Sequence, residues 1–530
     1  MKKALALALC GLTFAGMLTG CATDADVARL EKKVEKLEAD IEELEAENEE
    51  LMQENSDLRS QISYSNAGSG AGNAAATDTS TEPAEDTTAD AGTTDQGTPV
   101  EVPADPYFES PYQIYTDEYG NVIDLGGMEI IIRDWWSTGE IPEPTNEYEE
   151  ARLEYREWIQ ETYNFTIKEL AISDWGSTPY DFVDYVTGGG DYNNYVFVIR
   201  DDPSIANALH DGLMYDLSTL DCLDFSKAQY ARNLTHEQYT YKGGIYGMYS
   251  GFSEARTGVY FNKDVLRAAG VDPDDIYDMQ ADGTWTWEAF DDIMATVQGG
   301  NIYGLCTNES VMTSAAIYSN GGSYVGINRD GYTYNLENSN TVEALEWVVE
   351  MYNRYDNHDP DGANWDYYQG EFLSGNVAFF VDDSYVGQSY SFLMDASFDI
   401  GFVTFPKGPQ VDCYKGCWSN NVAVIPGIYD ADRAWKIAFA YDLYNREPAG
   451  YEDFFDTSSF RSGIFDSRAI DETIPLMVSP GFGTVSYAAM VPGISLGSDF
   501  LWNINAGCDL YSCIDWVSYS WQEAIDEANR

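Results

Sequence analysis

Basic residues and histidines are scarce in this chain. Only 28 of its 530 residues are Lys or Arg and 3 are His, whereas 90 are Asp or Glu, which gives a formal net charge of −62. Such a surface repels phosphate backbones, so we expect no nucleic-acid partner. His210, His236 and His358 do not stand at ligand spacing from a cysteine pair, and we therefore expect no bound metal and no cofactor.

Long apolar segments are absent beyond the N-terminus, because no later stretch reaches the ~18 uninterrupted apolar residues of a membrane span. Lys2 and Lys3 precede a short apolar run over residues 4–14, which predicts a signal peptide over residues 1–20. The Leu-Thr-Gly-Cys sequence ending at Cys21 resembles the bacterial lipobox. That resemblance implies lipid on Cys21 and attachment to the outer face of the cell membrane. A plain secretory signal with a chance cysteine is the alternative.

Six further cysteines follow Cys21, and their spacing leaves their chemistry open. In an oxidising compartment the nearby pairs Cys413/Cys417 and Cys508/Cys513 are candidates for local disulfides, although free buried thiols agree equally well with the sequence. The two others are Cys222 and Cys306.

The segment over residues 21–62 follows the lipid anchor and contains a heptad pattern. Apolar residues and two asparagines alternate at spacings of three and four at Val27, Leu30, Val34, Leu37, Ile41, Leu44, Asn48, Leu51, Asn55, Leu58 and Ile62. This pattern predicts a coiled coil that joins two copies of the chain as a parallel homodimer through residues 27–62, with Asn48 and Asn55 setting the register. A single solvated helix is the alternative.

Residues 63–106 contain little that could form a core. They are rich in Ala, Gly, Thr, Asp and Pro, and Tyr64 is their only aromatic residue, which predicts a flexible, disordered acidic linker. All 13 tryptophans lie after this linker, in residues 107–530. The 424 residues from 107 to 530 exceed the usual size of a domain with one hydrophobic core, which favours two lobes over one.

Strand and helix patterns alternate at the start of this region. We predict strands over 128–133, 165–172 and 195–199, with a helix over 148–163 between the first two. Such alternation indicates an α/β fold with a mostly parallel sheet. Ligands of open α/β sheets bind beyond the carboxyl ends of the strands, so the residues that follow each strand are the first candidates for a site.

A series of motifs in the second half of the chain resembles family 1 extracellular solute-binding proteins of ABC transporters. The two most specific segments read TGVYFNKDVLRAAG over 257–270 and GTWTWEAFDDIMATV over 283–297. Further matches, in the order that the family has them, fall at 319–325, 372–387, 400–409, 420–426 and 431–444. The resemblance covers most of residues 128–530.

This resemblance implies a two-lobed fold of the periplasmic-binding-protein type (type II), with strands crossing between the lobes. It also implies a small solute, most often a mono- or oligosaccharide, that is trapped between the closing lobes and passed to ABC permease subunits. A sugar ring offers an apolar C–H face to aromatic side chains and hydroxyls to polar ones.

Aromatic and polar residues stand together where such a site is expected. The family positions and the strand ends mark the candidate ligand-binding residues Asp134, Trp135, Trp136, Asp174, Trp175, Asp201, Asp202, Glu254, Arg256, Asp383, Tyr385, Trp418 and Asn420. Each of these tryptophans is equally suited to a hydrophobic core.

Two other functions remain as alternatives. A glycan-active enzyme would need paired carboxylates, but 90 acidic residues supply such pairs everywhere and single out none. The sequence also contains no HExxH or P-loop motif, so we expect a protein that is not an enzyme. A sensing or scaffolding lipoprotein is the second alternative, because a coiled coil of this length adds an arm of about 54 Å.

Overall fold

Two four-stranded sheets organise the part of the chain that a computed structural model describes. The described residues are 112–200, 203–254, 256–356, 366–388, 391–505 and 507–530. The predicted signal peptide, the lipid site at Cys21, the coiled coil and the linker lie outside these residues.

Fourteen strands occur among the described residues, and most are short. Their bounds are β1 Met128–Asp134, β2 Phe165–Ala171, β3 Asn194–Ile199, β4 Thr240–Tyr241, β5 Gly244–Ile245, β6 Thr257–Asn262, β7 Tyr303–Thr307, β8 Val325–Asn328, β9 Gly331–Tyr334, β10 Val377–Asp383, β11 Ile400–Thr404, β12 Gly416–Trp418, β13 Val422–Val424 and β14 Gly483–Val485.

The α-helices range from single turns to five turns. Their bounds are α1 Glu147–Tyr163, α2 Thr178–Thr187, α3 Pro203–His210, α4 Ala228–Ala231, α5 Thr235–Gln238, α6 Lys263–Ala268, α7 Pro273–Asp282, α8 Trp287–Val297, α9 Glu309–Ser319, α10 Ser339–Tyr355, α11 Tyr367–Leu373, α12 Ala431–Tyr444, α13 Ser458–Arg461, α14 Ile474–Met477, α15 Trp502–Asn505 and α16 Leu510–Ala528.

The first sheet has the strand order β13-β3-β1-β2. Strand β1 pairs in parallel with both β2 and β3, so the carboxyl ends of three strands lie at one edge. Strand β13 runs antiparallel to β3, with Val422 opposite Ile199. Because of this direction, the residues that precede β13 reach the same edge as those that follow β1, β2 and β3.

The second sheet has the order β11-β6-β10-β7 and is mixed. Strands β10 and β7 are parallel, but β6 runs antiparallel to both β10 and β11. The prediction of a mostly parallel sheet therefore describes the first sheet and is wrong for the second. Strand β6 alone runs opposite to the other three strands, and it lies between two of them.

Local signals account for the ends of α1, the longest helix of the first lobe. The Asn146 side chain accepts a hydrogen bond of 2.9 Å from the backbone N–H of Glu149, which caps the N-terminus. Asn164 ends the helix in the left-handed conformation at φ 52°. The predicted helix and the three predicted strands of this region are confirmed within one residue at each end, and the matched segment at 431–444 forms α12.

The chain passes between the two sheets three times, and this threading defines two lobes. It leaves the first lobe before β6, returns to it at β13, and leaves again after α12. One hydrophobic core fills the first lobe, and a larger one surrounds the second sheet. Strand β3 contributes to both cores, with Val196 on one side and Phe197 on the other.

Three further features of the described residues concern the predictions on cysteines, membranes and metals. No disulfide joins any of the six cysteines, from Cys222 to Cys513, that lie in the described chain. In the same residues no helix combines the length and apolar character required to cross a membrane. The described part also brings together no group of three or more His, Cys, Asp or Glu residues suited to a metal ion.

Candidate functional site

A cleft of about 970 Å³ lies between the two lobes. The first lobe supplies the residues after β1, β2 and β3, and the second lobe supplies those after β10. The segments before β6 and before β13 form its floor. This is the arrangement expected of open sheets, in which ligands bind beyond the strand ends.

Trp135 and Trp136 follow β1 and form the first wall of the cleft. Their rings meet edge to face, with 4.8 Å between centroids, and 54% of the surface of Trp136 is exposed. Asp134 is buried, and its Oδ1 accepts hydrogen bonds from the backbone N–H groups of Trp136, at 3.2 Å, and Ser137, at 3.0 Å. Asp134 therefore holds the tryptophan loop in place and does not line the cleft.

Trp175 follows β2 on the same wall and is 60% exposed. The Arg200 guanidinium lies 4.1 Å from the centre of its ring, and Arg200 Nε donates a 2.7 Å hydrogen bond to the Trp175 carbonyl. Asp174 is exposed, and its Oδ1 accepts from the Ser177 backbone N–H at 2.8 Å. This bond and the Ser177 hydroxyl lower the pKa of Asp174, so Asp174 shapes the turn behind Trp175.

An ion-pair network crosses the floor of the cleft. Arg256 lies 2.9 Å from Glu254 and 3.9 Å from Asp383, and its Nη2 donates to the Ser419 carbonyl. Asp383 also accepts a 2.8 Å hydrogen bond from the Thr257 hydroxyl. The network thus ties the strand that enters the second lobe to the strand that ends at Asp383.

Asn420 and Trp418 were predicted to bind ligand, but the structure buries both. Asn420 donates to the hydroxyls of Thr235 and Ser253, each at 3.1 Å, and accepts from the Glu254 backbone N–H. Asn420 therefore lies beneath the floor of the cleft and holds Ser253 and Glu254 in place. Trp418 is 2% exposed, and its Nε1 donates to the Met477 carbonyl at 3.0 Å. Its ring belongs to the larger core.

Tyr385 forms the wall opposite the tryptophans and is 59% exposed. Partial burial and the neighbouring carboxylates of Asp382 and Asp383 raise its pKa to about 12, so its hydroxyl stays protonated and can donate a hydrogen bond. Asp382 lies beneath it, and burial together with the Asp383 charge raises the pKa of Asp382 to about 8. The second wall therefore contains a carboxyl group that is neutral at pH 7.

The structure brings together Trp135, Trp136, Trp175, Glu254, Arg256, Asp383 and Tyr385 at one cleft. Asp201 and Asp202 lie outside the described residues. The sequence analysis missed the other lining residues, among them Arg200, Tyr249, Phe252, Gln388, Phe455 and Phe460. Arg200 directly follows a predicted strand and could have been found by that rule, whereas Phe455 and Phe460 stand far along the chain with no comparable signal.

The cleft combines flat aromatic surfaces with fixed hydrogen-bonding groups. Trp136, Trp175 and Tyr385 expose rings, and the ion pairs of Arg256 and Glu254 supply donors and acceptors beside them. Exposed aromatic rings next to satisfied polar groups suit a ligand with an apolar face and a hydroxylated edge.

Comparison with known proteins agrees with this architecture. The family described as bacterial extracellular solute-binding protein matches residues 184–470, which is more than half of the 530 residues. No curated protein matches the chain in sequence.

Several solved structures share the fold. The GacH receptor of Streptomyces glaucescens is 14% identical, with 76% of this chain and 99% of that chain covered and a TM-score of 0.50. A cyclic α-maltosyl-1,6-maltose binding protein from Arthrobacter globiformis is 14% identical, with the same coverage of 76% and 99% and a TM-score of 0.53. A sugar transporter from Rhizobium etli is 15% identical, with 76% and 98% covered and a TM-score of 0.50.

The two-lobed α/β fold and the interlobe cleft agree with the family match. The chain belongs to the bacterial extracellular solute-binding proteins.

Proposed function

We propose that the protein captures a neutral mono- or oligosaccharide in the interlobe cleft and hands it to the permease subunits of an ABC importer. The observation that carries this proposal is the set of three exposed aromatic rings, Trp136, Trp175 and Tyr385, on facing walls. Single exposed aromatic residues are common on protein surfaces, but several that line one concave site mark a place where a ligand binds. Among the structural relatives, the GacH receptor binds acarbose, and the Arthrobacter protein is named for binding a cyclic maltosyl-maltose.

The polar floor supports an uncharged ligand. Arg256 already has two carboxylate neighbours, Glu254 and Asp383, so an anionic solute would compete with these carboxylates. The net charge of −62 disfavours anions further. Sugar hydroxyls, in contrast, donate to carboxylates and accept from guanidinium groups without displacing the ion pairs.

Closure of the lobes would bring the two aromatic walls onto opposite sides of the ligand. The Arg256–Asp383 contact joins the crossing strand to the second lobe, and it lies beside the ligand position. Ligand contacts made only in the closed state would shift the population toward it. Chemical conversion of the solute is no part of this proposal, and the family comprises binding proteins.

The direct test is a thermal-shift screen of the purified chain against a panel of neutral sugars. We expect at least one sugar to raise the melting temperature and to change tryptophan fluorescence. Stabilisation by peptides or organic anions and by no sugar would overturn the carbohydrate assignment. Cleavage of a glycan during incubation would favour an enzyme.

A matched pair of variants ties the signal to the cleft. Trp136→Ala should weaken binding by about tenfold to a hundredfold, since a ring that stacks on a ligand contributes a few kcal/mol. Trp516→Ala is the control, because Trp516 is 82% exposed but does not line the cleft. Equal affinity for both variants would place the ligand elsewhere.

Attachment to the membrane belongs to the same proposal. Lipid on Cys21 would keep the captured solute near the permease, and a dimer through residues 27–62 would give each particle two such anchors. Cys21→Ser should abolish the incorporation of labelled palmitate into the protein, whereas Cys10→Ser should leave it unchanged. Labelling of Cys21→Ser at the wild-type level would contradict the anchor, and cross-linking that finds only monomers would contradict the dimer.

A further inference from the structure

A second cavity of about 410 Å³ adjoins the interlobe cleft. We call it the inner chamber. Arg256, Asp383 and Ser419 line both spaces, so a ligand in the cleft lies next to the mouth of the chamber. Most of the remaining wall comes from α9, from β12 and from a C-terminal segment over residues 486–501. Its volume falls within the range of about 300–1,000 Å³ that holds small molecules.

The inner chamber differs from the cleft in charge. Apart from Arg256 and Asp383 at the mouth, every residue that lines it is uncharged. Val311, Ile494 and Leu496 contribute apolar surface to its walls. The chain has 90 acidic residues, yet this cavity has none beyond its mouth. The charged floor of the cleft suits the polar groups of a ligand, and the uncharged chamber beside it suits the apolar groups. An ionic group would lose its hydration there without gaining a partner.

Hydroxyl groups with unmet hydrogen-bonding capacity lie in the chamber wall. Tyr318 is 3% exposed, and neither its hydroxyl nor the Ser486 hydroxyl has a hydrogen-bond partner of normal geometry among the described residues. Burial and the neighbouring Cys417 raise the pKa of Tyr318, and the Ser486 hydroxyl beside it opposes this shift in part. A buried hydroxyl without a good partner destabilises the free protein, so a ligand carbonyl or hydroxyl that bonds to it would recover that loss. By contrast, Ser314 and Tyr324 satisfy each other at 2.8 Å.

We propose that the inner chamber binds an uncharged, mainly apolar substituent of the solute, such as an acyl group or an aryl or alkyl aglycone, while a sugar ring occupies the cleft. This inference rests on the proposed function and specifies its substrate class, namely a substituted glycoside in preference to a bare saccharide. Apolar walls favour the burial of such a group because water leaves both surfaces. Tyr318 and Ser486 would hydrogen-bond its polar atom.

Cys417 offers a local reporter, because its thiol lines the inner chamber and not the cleft. The background for the experiment is the full chain with Cys413→Ser and Cys508→Ser, which removes the two exposed thiols of the described residues. The rate at which a small maleimide modifies Cys417 is followed by mass spectrometry under reducing conditions. The probes are glucose, galactose, mannose and maltose, each as the free sugar and as its 4-nitrophenyl glycoside.

For a sugar that binds, we expect the nitrophenyl glycoside to bind more tightly than the free sugar. At ten times its Kd it should slow the alkylation of Cys417 about tenfold, because only unoccupied protein reacts, whereas the free sugar should leave the rate unchanged. If both forms bind with equal affinity and Cys417 reacts at the same rate throughout, the inner chamber does not bind the substituent. Sugar binding in the cleft would remain unaffected by that result. Absence of binding by any probe in either form would contradict the proposed function as well.

Filling the chamber gives an independent check. Ala489→Trp and Val311→Phe place bulk on two different walls of the chamber, and each should abolish the affinity gained from the nitrophenyl group without weakening the free sugar. The second variant keeps the test valid if the first fails to fold, which its melting temperature reports. Retention of the gain in a folded variant would contradict the proposal.

Discussion

The two walls of the cleft are built in different ways. On the first lobe, Trp136, Trp175 and Arg200 each follow a strand of one parallel group, so adjacent strands carry adjacent site residues. On the second lobe, Tyr385 follows a strand of a mixed sheet, and Phe455 and Phe460 join it from a distant segment. The first wall can be predicted because its residues directly follow parallel strands. The second wall depends on where the chain runs after α12.

Burial separates the tryptophans of these regions further. Trp136 and Trp175 are more than half exposed, whereas Trp418 of the crossing segment is almost fully buried. The same residue type, standing beside polar residues in each case, thus has two different roles. Substitutions on the two walls and in the core test this contrast.

Trp418→Ala should destabilise the fold by about 3–5 kcal/mol, the usual cost of removing a buried aromatic side chain. The indole ring packs so closely on Gly483 that a Cβ there would lie 2.0 Å from it, and the Met477 carbonyl would lose its donor. Urea denaturation measures the free energy of unfolding. Trp516→Ala is the control and should change it by less than about 0.5 kcal/mol. A Trp418 variant of normal stability would contradict its place in the core.

Asp382 gives the second wall a pH dependence. Its pKa is raised to about 8 in the folded protein, above its value in the unfolded chain, so its contribution to stability is complete at low pH and is lost as the pH rises to about 8. Asp382→Asn should remove this loss while keeping an acceptor for the Asp383 backbone N–H.

The wild-type free energy of unfolding should therefore fall relative to Asp382→Asn by up to about 1.4 kcal/mol per pH unit between pH 5 and pH 8. Urea denaturation at several pH values measures the difference between the two proteins, which cancels the contributions of the other carboxylates. Parallel pH profiles would show that this carboxyl group is ionised throughout.

Tyr385→Ala and Trp175→Ala compare the two walls directly. If closure places a sugar between them, each change should weaken binding by about tenfold, because each removes a stacking surface. Titration calorimetry with a sugar found in the panel measures both affinities. A loss at Trp175 with none at Tyr385 would confine binding to the first lobe and contradict closure around the ligand.

Arg200→Met should have the smallest effect. The guanidinium lies over the Trp175 ring and bonds its carbonyl, and an interaction of this kind contributes about 0.5–1 kcal/mol at an exposed site. We expect ligand affinity to fall by about two- to fivefold, as measured by the same calorimetry. An unchanged affinity would show that Trp175 keeps its orientation without Arg200.

Particular residues show how far sequence reasoning reached. It identified the strands that end at Asp134 and Ile199 because apolar runs and turn signals are local. It placed Asp134 and Asn420 at the site, and the structure puts both directly beneath it, where they hold backbone N–H groups or neighbouring side chains. Chain position alone does not tell a residue that contacts the ligand from one that supports such a residue.

The inner chamber had no counterpart in the sequence analysis. Its walls join α9, β12 and residues 486–501, which are separated by up to about two hundred residues and share no motif. Such a cavity arises where elements of different origin pack incompletely, and that depends on all of them together.

The α/β class, the family resemblance and the first wall of the cleft could be predicted from the amino-acid sequence, because helices, strands and strand ends follow from nearby residues. Three properties required the folded structure: which tryptophans are exposed, which acidic residues support the site from beneath, and where an uncharged chamber opens. Those properties depend on burial, and burial is set by segments that meet only after the chain has crossed between its lobes three times.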